Sequence, residues 1–180
     1  MQTLGLSDST PKPESRLKAL FWPRIRHEYD ADYIAQQGLW LCWILAGLTL
    51  AIGLVVSRSA LVLIDAAYLL LGGVGVRQGS RFAAIVVFVN YSIMVAVTGP
   101  GVMSVIFLGL LLSNVRGTWL AAKWRLNATE PPPIPMEVTF LDRVSNRLPA
   151  RIWPTGRWLF YPLAVMEGSA LIWTLVNRAA

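Results

Sequence analysis

Charge is scarce in this sequence: Asp, Glu, Lys and Arg make up 14% of its 180 residues, where a soluble domain carries roughly 25%. With 55% hydrophobic residues the chain lacks the polar coat that water demands, and lipid is the solvent that fits. Cysteine occurs once, at Cys42, which excludes a disulfide framework and a thiolate metal site. Histidine also occurs once, at His27. With Glu28, Asp30 and Asp32 beside it, His27 could ligate a metal or a pigment magnesium, but one histidine among flexible carboxylates lacks the spacing of a built site. No cofactor is expected.

Catalytic signatures are missing as well. There is no zinc-protease pair, nucleophile elbow or catalytic dyad, and Gly72, Gly73 and Gly75 are not followed by the Lys-Ser/Thr of a phosphate loop. An enzyme is therefore not expected. The period-two alternation of a barrel strand is absent too.

What the sequence has is long apolar runs. Between Arg77 and Lys123 two of them, Phe82 to Val97 and Val102 onward, are hinged by the uncharged turn Thr98-Gly99-Pro100-Gly101, the pattern of a transmembrane hairpin. Five spans are expected in all: Leu39 to Val56, Leu61 to Val76, Phe82 to Val97, Val102 to Ala122, and about Trp158 to Val176. The fold class is thus all-α, an integral membrane helical bundle of about five transmembrane helices with amphipathic interfacial helices. The connections Ser57 to Ala60, Arg77 to Arg81 and Thr98 to Gly101 are too short for anything but antiparallel neighbours, so residues 39–122 form an up-and-down four-helix bundle.

The flanking segments are polar. Residues 1–38 hold no apolar stretch near Met1, so a cleaved signal peptide is not expected and the first span acts as its own signal. Ser15 to Arg26 mixes Leu17, Leu20, Phe21 and Trp22 with basic residues, a composition suited to the headgroup layer; Asp30 or Asp32 is placed to cap the helix that follows. Residues 123–157 contain the stiff spacer Pro131-Pro132-Pro133 with Pro135. Next comes Met136 to Ile152, in which Phe140, Leu141, Val144 and Leu148 recur among charged residues. An amphipathic helix lying on the cytoplasmic surface is expected there, ended by Pro149 and Pro154. Trp153 and Trp158 stand where an aromatic belt would be. These apolar positions and Trp153 form the candidate surface for a partner.

The net charge of +6 does not point to nucleic acid, because the basic residues lie between apolar runs. Lys12, Arg16, Lys18, Arg24 and Arg26, then Arg77 and Arg81, then Lys123, Arg125, Arg143, Arg147, Arg151 and Arg157 fall on one side. The other side receives only Arg58 and Arg178, and Arg116 lies within the fourth span. By the positive-inside rule the N-terminus is cytoplasmic and the C-terminus periplasmic.

Intramembrane polar groups are the candidates for function. Glu167 lies near the middle of the fifth span, with Asn90 at similar depth in the third and Arg116 toward the cytoplasmic end of the fourth as its expected partners. These residues would either carry a proton or cation relay or serve as a polar clamp holding the fifth helix, and the clamp is preferred because the chain of ionisable groups is short. Asp65 is expected to pair at the interface with Arg58. Asn114 and Thr118 beside Arg116 suggest a polar patch between helices. Small-xxx-small pairs at Gly47 and Ala51, Gly75 and Gly79, Gly109 and Ser113, and Ala164 and Gly168 suit close packing.

The run Gly75, Arg77, Ser80, Arg81, the hairpin, and Asn114-Val115-Arg116-Gly117-Thr118 resembles a group of small bacterial integral membrane proteins of uncharacterised function. In these an arginine-bearing segment precedes a span and Asn-x-x-Arg-Gly-Thr ends the next. Asp142-Arg143 to Leu148-Pro149, Trp153-Pro154, Arg157-Trp158 and Phe160-Tyr161 are similar to their C-terminal part. The resemblance covers about two-thirds of the chain and implies a bacterial inner membrane; it brings no activity with it. Three functions remain open. The expected one is a non-catalytic accessory subunit packed against other integral membrane subunits, with a photosynthetic or respiratory complex as one setting. The alternative is a small transporter or ion-coupled channel using Glu167. The weakest is an intramembrane enzyme acting on lipid.

Overall fold

The computed structural model describes residues 28–56, 61–127, 144, 148–149 and 151–179. It contains five long helices: α1 (Glu28–Val56), α2 (Leu61–Arg77), α3 (Arg81–Thr98), α4 (Val102–Asn127) and α5 (Ile152–Ala179). No strand occurs among the described residues. Four of the helices are long and apolar enough to cross a membrane, so this is an all-helical membrane protein. The exception is α2, whose 17 residues rise about 25 Å against a hydrocarbon core of ~30 Å. Five spans were expected, and α2 fills the second place as a short helix that needs locally thinned lipid or flanking residues to complete the crossing.

Helix ends explain the tight turns. Behind α2, Gly79 adopts a φ of 76°, a left-handed conformation that glycine takes without a Cβ clash. Its N–H donates to Val76 O at 2.9 Å and the N–H of Ser80 reaches back to Gly75 O at 2.9 Å. The Ser80 hydroxyl then accepts from Ala83 N and caps α3. The chain therefore reverses within three residues. At the far end of α3, Gly99 has a φ of 93° and its N–H closes on Val95 O.

Two helices begin earlier than the apolar runs suggest. Asp30 and Asp32 lie inside α1 instead of capping it, because a helix does not need apolar residues to continue beyond the hydrocarbon, and acidic residues suit the positive end of the helix dipole. Similarly α5 starts at Ile152, so Pro154 sits in its first turn, where a missing N–H costs nothing, and does not separate two helices. The surface segment from Met136, with Phe140 and Leu141, falls outside the described residues, as do His27, Arg58 and the proline spacer. Val144 and Leu148 are half-buried.

The first four helices form the expected antiparallel bundle. α1 packs most extensively on α2 and also on α4, α3 packs on α4 and α2, and α5 docks against α2 and α3. Close approach of α1 and α2 depends on Gly73, where an added Cβ would lie 2.9 Å from Cys42 Cβ and 3.1 Å from Leu39 O. Phe160 of α5 is fully buried and stacks on Tyr68 of α2 with centroids 5.4 Å apart. Trp153 meets the Phe160 ring edge-on at 5.4 Å and closes over Gly75, where a Cβ would stand 2.6 Å from its indole. Trp153 is thus drawn into the α2–α5 contact; it was expected on a belt or partner surface, and the early start of α5 turns it inward. Gly47, expected in a packing pair, faces open space.

Candidate functional site

Ala164 and Gly168 are small, and they let α5 approach α3 closely. Asn90 of α3 fills that contact: its Nδ2 donates to the carbonyl of Ala164 at 2.9 Å, and a Cβ on Gly168 would be 3.0 Å from its Oδ1. Asn90 is only 8% exposed. Asn90 thus ties the fifth helix to α3 through main chain.

Glu167 faces Asp65. The two carboxyls come from α5 and α2. Both line one cavity of about 430 Å³ to which all five helices contribute. Asn90, Tyr68, Tyr91 and Ser104 add its other polar groups, and Leu45, Leu69, Met94 and Phe107 are among its apolar walls. The contributing residues lie in the C-terminal half of α1 and α3 and the N-terminal half of α2 and α4. The cavity therefore occupies the half of the bundle nearer the Gly99-Pro100-Gly101 turn. At that same end Arg178 of α5 donates to Val97 O of α3, which fixes α5 parallel to α3.

The tyrosines are anchored by other contacts. Tyr68 donates its hydroxyl to Val86 O at 3.2 Å and holds its ring against Phe160. Tyr91 of α3 and Ser104 of α4 face the same cavity. No Lys, Arg or His is among the described residues that line the cavity. A carboxylate within a bilayer is costly unless a proton or a cation neutralises it, and the described lining offers no basic group to do so.

Of the polar residues singled out in the sequence, Glu167, Asn90 and Asp65 are brought together. Asn114 and Arg116 are not part of this cavity. Asn114 is 2% exposed and sits against Gly38 of α1, where a Cβ would be 2.4 Å from its Oδ1; that oxygen has no hydrogen-bond partner. Glu167 shares its cavity with Asp65 and Asn90, and Arg116 does not line it. Counting residues from each span's ends hid this pairing, because α5 has 28 residues and α2 only 17, and equal depth does not follow from equal counts. Tyr68, Tyr91 and Ser104 went unnoticed because an aromatic or serine in an apolar run carries no sign of what it faces. Among the described residues no group of three or more His, Cys, Asp or Glu could hold a metal, and Cys42 is buried in the α1–α2 contact. Comparison with protein-family models, with curated proteins and with solved structures returned no match.

Proposed function

We propose that this protein is a small ion-coupled membrane carrier that exchanges a proton for a monovalent cation at the Asp65–Glu167 pair. The observation that carries the reading is the convergence of two carboxyls on a cavity whose described lining has no basic group. An uncompensated charge within a bilayer is costly. A singly protonated pair is neutralised either by a second proton or by one cation of charge +1, so the two occupants exclude each other and exchange one for one. Asn90 holds α5 to α3 and so keeps Glu167 opposite Asp65. We place the protein in a bacterial inner membrane, as the resemblance implies, and its N-terminus in the cytoplasm, from the distribution of Lys and Arg; the cavity then lies toward the periplasmic face.

The accessory-subunit reading draws on a different observation, the uncovered face of α5, where Trp158, Val165, Ile172 and Trp173 are exposed. Lipid alone satisfies such a face, whereas lipid gives no reason for the paired carboxyls, and the carrier is preferred on that ground. The experiment is reconstitution into liposomes holding a trapped pH indicator, with outward gradients of sodium, potassium and organic ammonium ions imposed in turn. Proton movement that one of these gradients drives, and that Glu167→Gln and Asp65→Asn both abolish, is the expected result. Proton movement equal in wild type and both variants, or none in wild type, would overturn it.

A further inference from the structure

The size and mouth of the cavity narrow the chemistry of what enters it. At about 430 Å³ it falls within the roughly 300–1,000 Å³ of small-molecule sites, far more room than a bare alkali ion needs. Its walls are mainly aliphatic and aromatic, with Tyr68, Tyr91 and Phe107 contributing rings, and a ring face attracts a poorly hydrated cation. Polar groups such as Asp65, Glu167, Asn90 and Ser104 take part of the lining, and Leu45, Leu69, Met94 and Phe107 add the apolar walls that an organic body needs and a bare alkali ion does not.

The opening faces sideways. Leu48 and Ile52 of α1 and Met103 of α4 line the cavity and are themselves 43%, 61% and 65% exposed, so the cavity reaches the surface of the bundle along the neighbouring helices α1 and α4. Ile52 is one turn from the end of α1 and Met103 is the second residue of α4. The mouth therefore lies near the membrane interface, where an amphiphile keeps its charge by the headgroups and its body in the chains.

We propose that the cavity binds a lipophilic organic monocation, an amine or quaternary onium on an apolar body, which enters laterally between α1 and α4 and sets its charge against the Asp65–Glu167 pair. This inference rests on the cavity's being the working site of the carrier proposed above. The apolar body occupies the space walled by Leu45, Leu69, Met94 and Phe107, and the charge replaces the second proton of the carboxyl pair, so one proton leaves for each cation bound from the doubly protonated state.

The test is equilibrium binding of tetraphenylphosphonium to purified protein in detergent, by calorimetry, in two buffers of different ionisation enthalpy so that released protons are counted. Wild type is expected to bind it with proton release. Glu167→Gln and Asp65→Asn should each weaken binding roughly 10- to 100-fold, the scale of a lost charge-assisted contact. Leu48→Trp, which keeps both carboxyls and fills the mouth, should likewise weaken tetraphenylphosphonium binding. Size-exclusion profiles identify a variant that fails to fold, and the remaining two then decide. Absence of wild-type binding, or binding unaltered in the folded variants, overturns the inference. Cation-driven proton flux without tetraphenylphosphonium binding sinks the ligand class alone, and binding without flux sinks the carrier alone.

Discussion

Asn90 on α3 donates its side-chain amide to the main-chain carbonyl of Ala164 on α5, 2.9 Å away and shielded from solvent. This bond crosses 74 positions of sequence and ties the last helix to the antiparallel bundle beside the carboxyl pair. Hydrogen bonds between membrane helices contribute less than their dry surroundings suggest, because the separated helices find other partners in lipid.

Asn90→Ala should accordingly lower stability by roughly 1 kcal/mol, read as a shift in thermal or SDS-induced unfolding of purified protein. The effect on function should be larger than the effect on stability, because Glu167 loses its register opposite Asp65. Cation-driven proton movement falling in proportion to the folded fraction alone would count against that positioning role.

The aromatic contact of α2 with α5 supplies a second prediction. Phe160 is fully buried between Tyr68 and Trp153. In water its truncation would lose both transfer and packing energy, but here the alternative environment is lipid, so the packing part dominates. Phe160→Ala should cost about 2 kcal/mol, below the 3–5 kcal/mol common for soluble cores. A loss above that soluble range, in the same unfolding assay, would mean that water and not lipid bathes the separated helix.

Much of this architecture was legible in the residues, and the exceptions have physical causes. Apolar length reports where a chain meets hydrocarbon, so the central parts of the spans were readable, and Gly99-Pro100-Gly101 announced its turn through conformational demands that few residues meet, whereas Gly79, expected in a packing pair with Gly75, is the left-handed residue of the turn after α2. Apolar length does not report where a helix ends, and the polar first turns of α1 and α5 were assigned to other structures. Glu167, Asn90 and Asp65 stood out because polar groups in lipid always do. Which of them meet depends on relative helix offset, and no pattern within a single helix encodes it. Trp153 beside Pro154 has the composition of an interfacial anchor; only the docking of α5 over Gly75 makes it a packing residue.

Two glycines of α1 make a contrasting pair. A Cβ on Gly38 would fall 2.3 Å from Val76 Cγ1 and 2.4 Å from Asn114 Oδ1, whereas one on Gly47 meets nothing within 4 Å. Gly38→Ala should therefore destabilise by about 1–3 kcal/mol through overpacking. Gly47→Ala should stabilise by about 0.5–1 kcal/mol, since alanine restricts the unfolded chain and suits a helix better. Equal unfolding midpoints for the two variants would contradict the placement of α1 against α2 and α4.

The carboxyl pair admits a test that does not depend on knowing the ligand. If Asp65 and Glu167 act as one proton-sharing unit, removing either partner abolishes the shared bond, and removing the second adds little. The double variant Asp65→Asn/Glu167→Gln should then fall short of the sum of the single losses by about 0.5–3 kcal/mol in unfolding free energy, the range found for residues in direct contact. Two amides can also hydrogen-bond to each other without a proton, so the double variant should be less sensitive to pH than wild type. Strict additivity would mean that the two carboxyls merely share a cavity, each solvated on its own, and the one-for-one exchange of proton and cation would lose its basis.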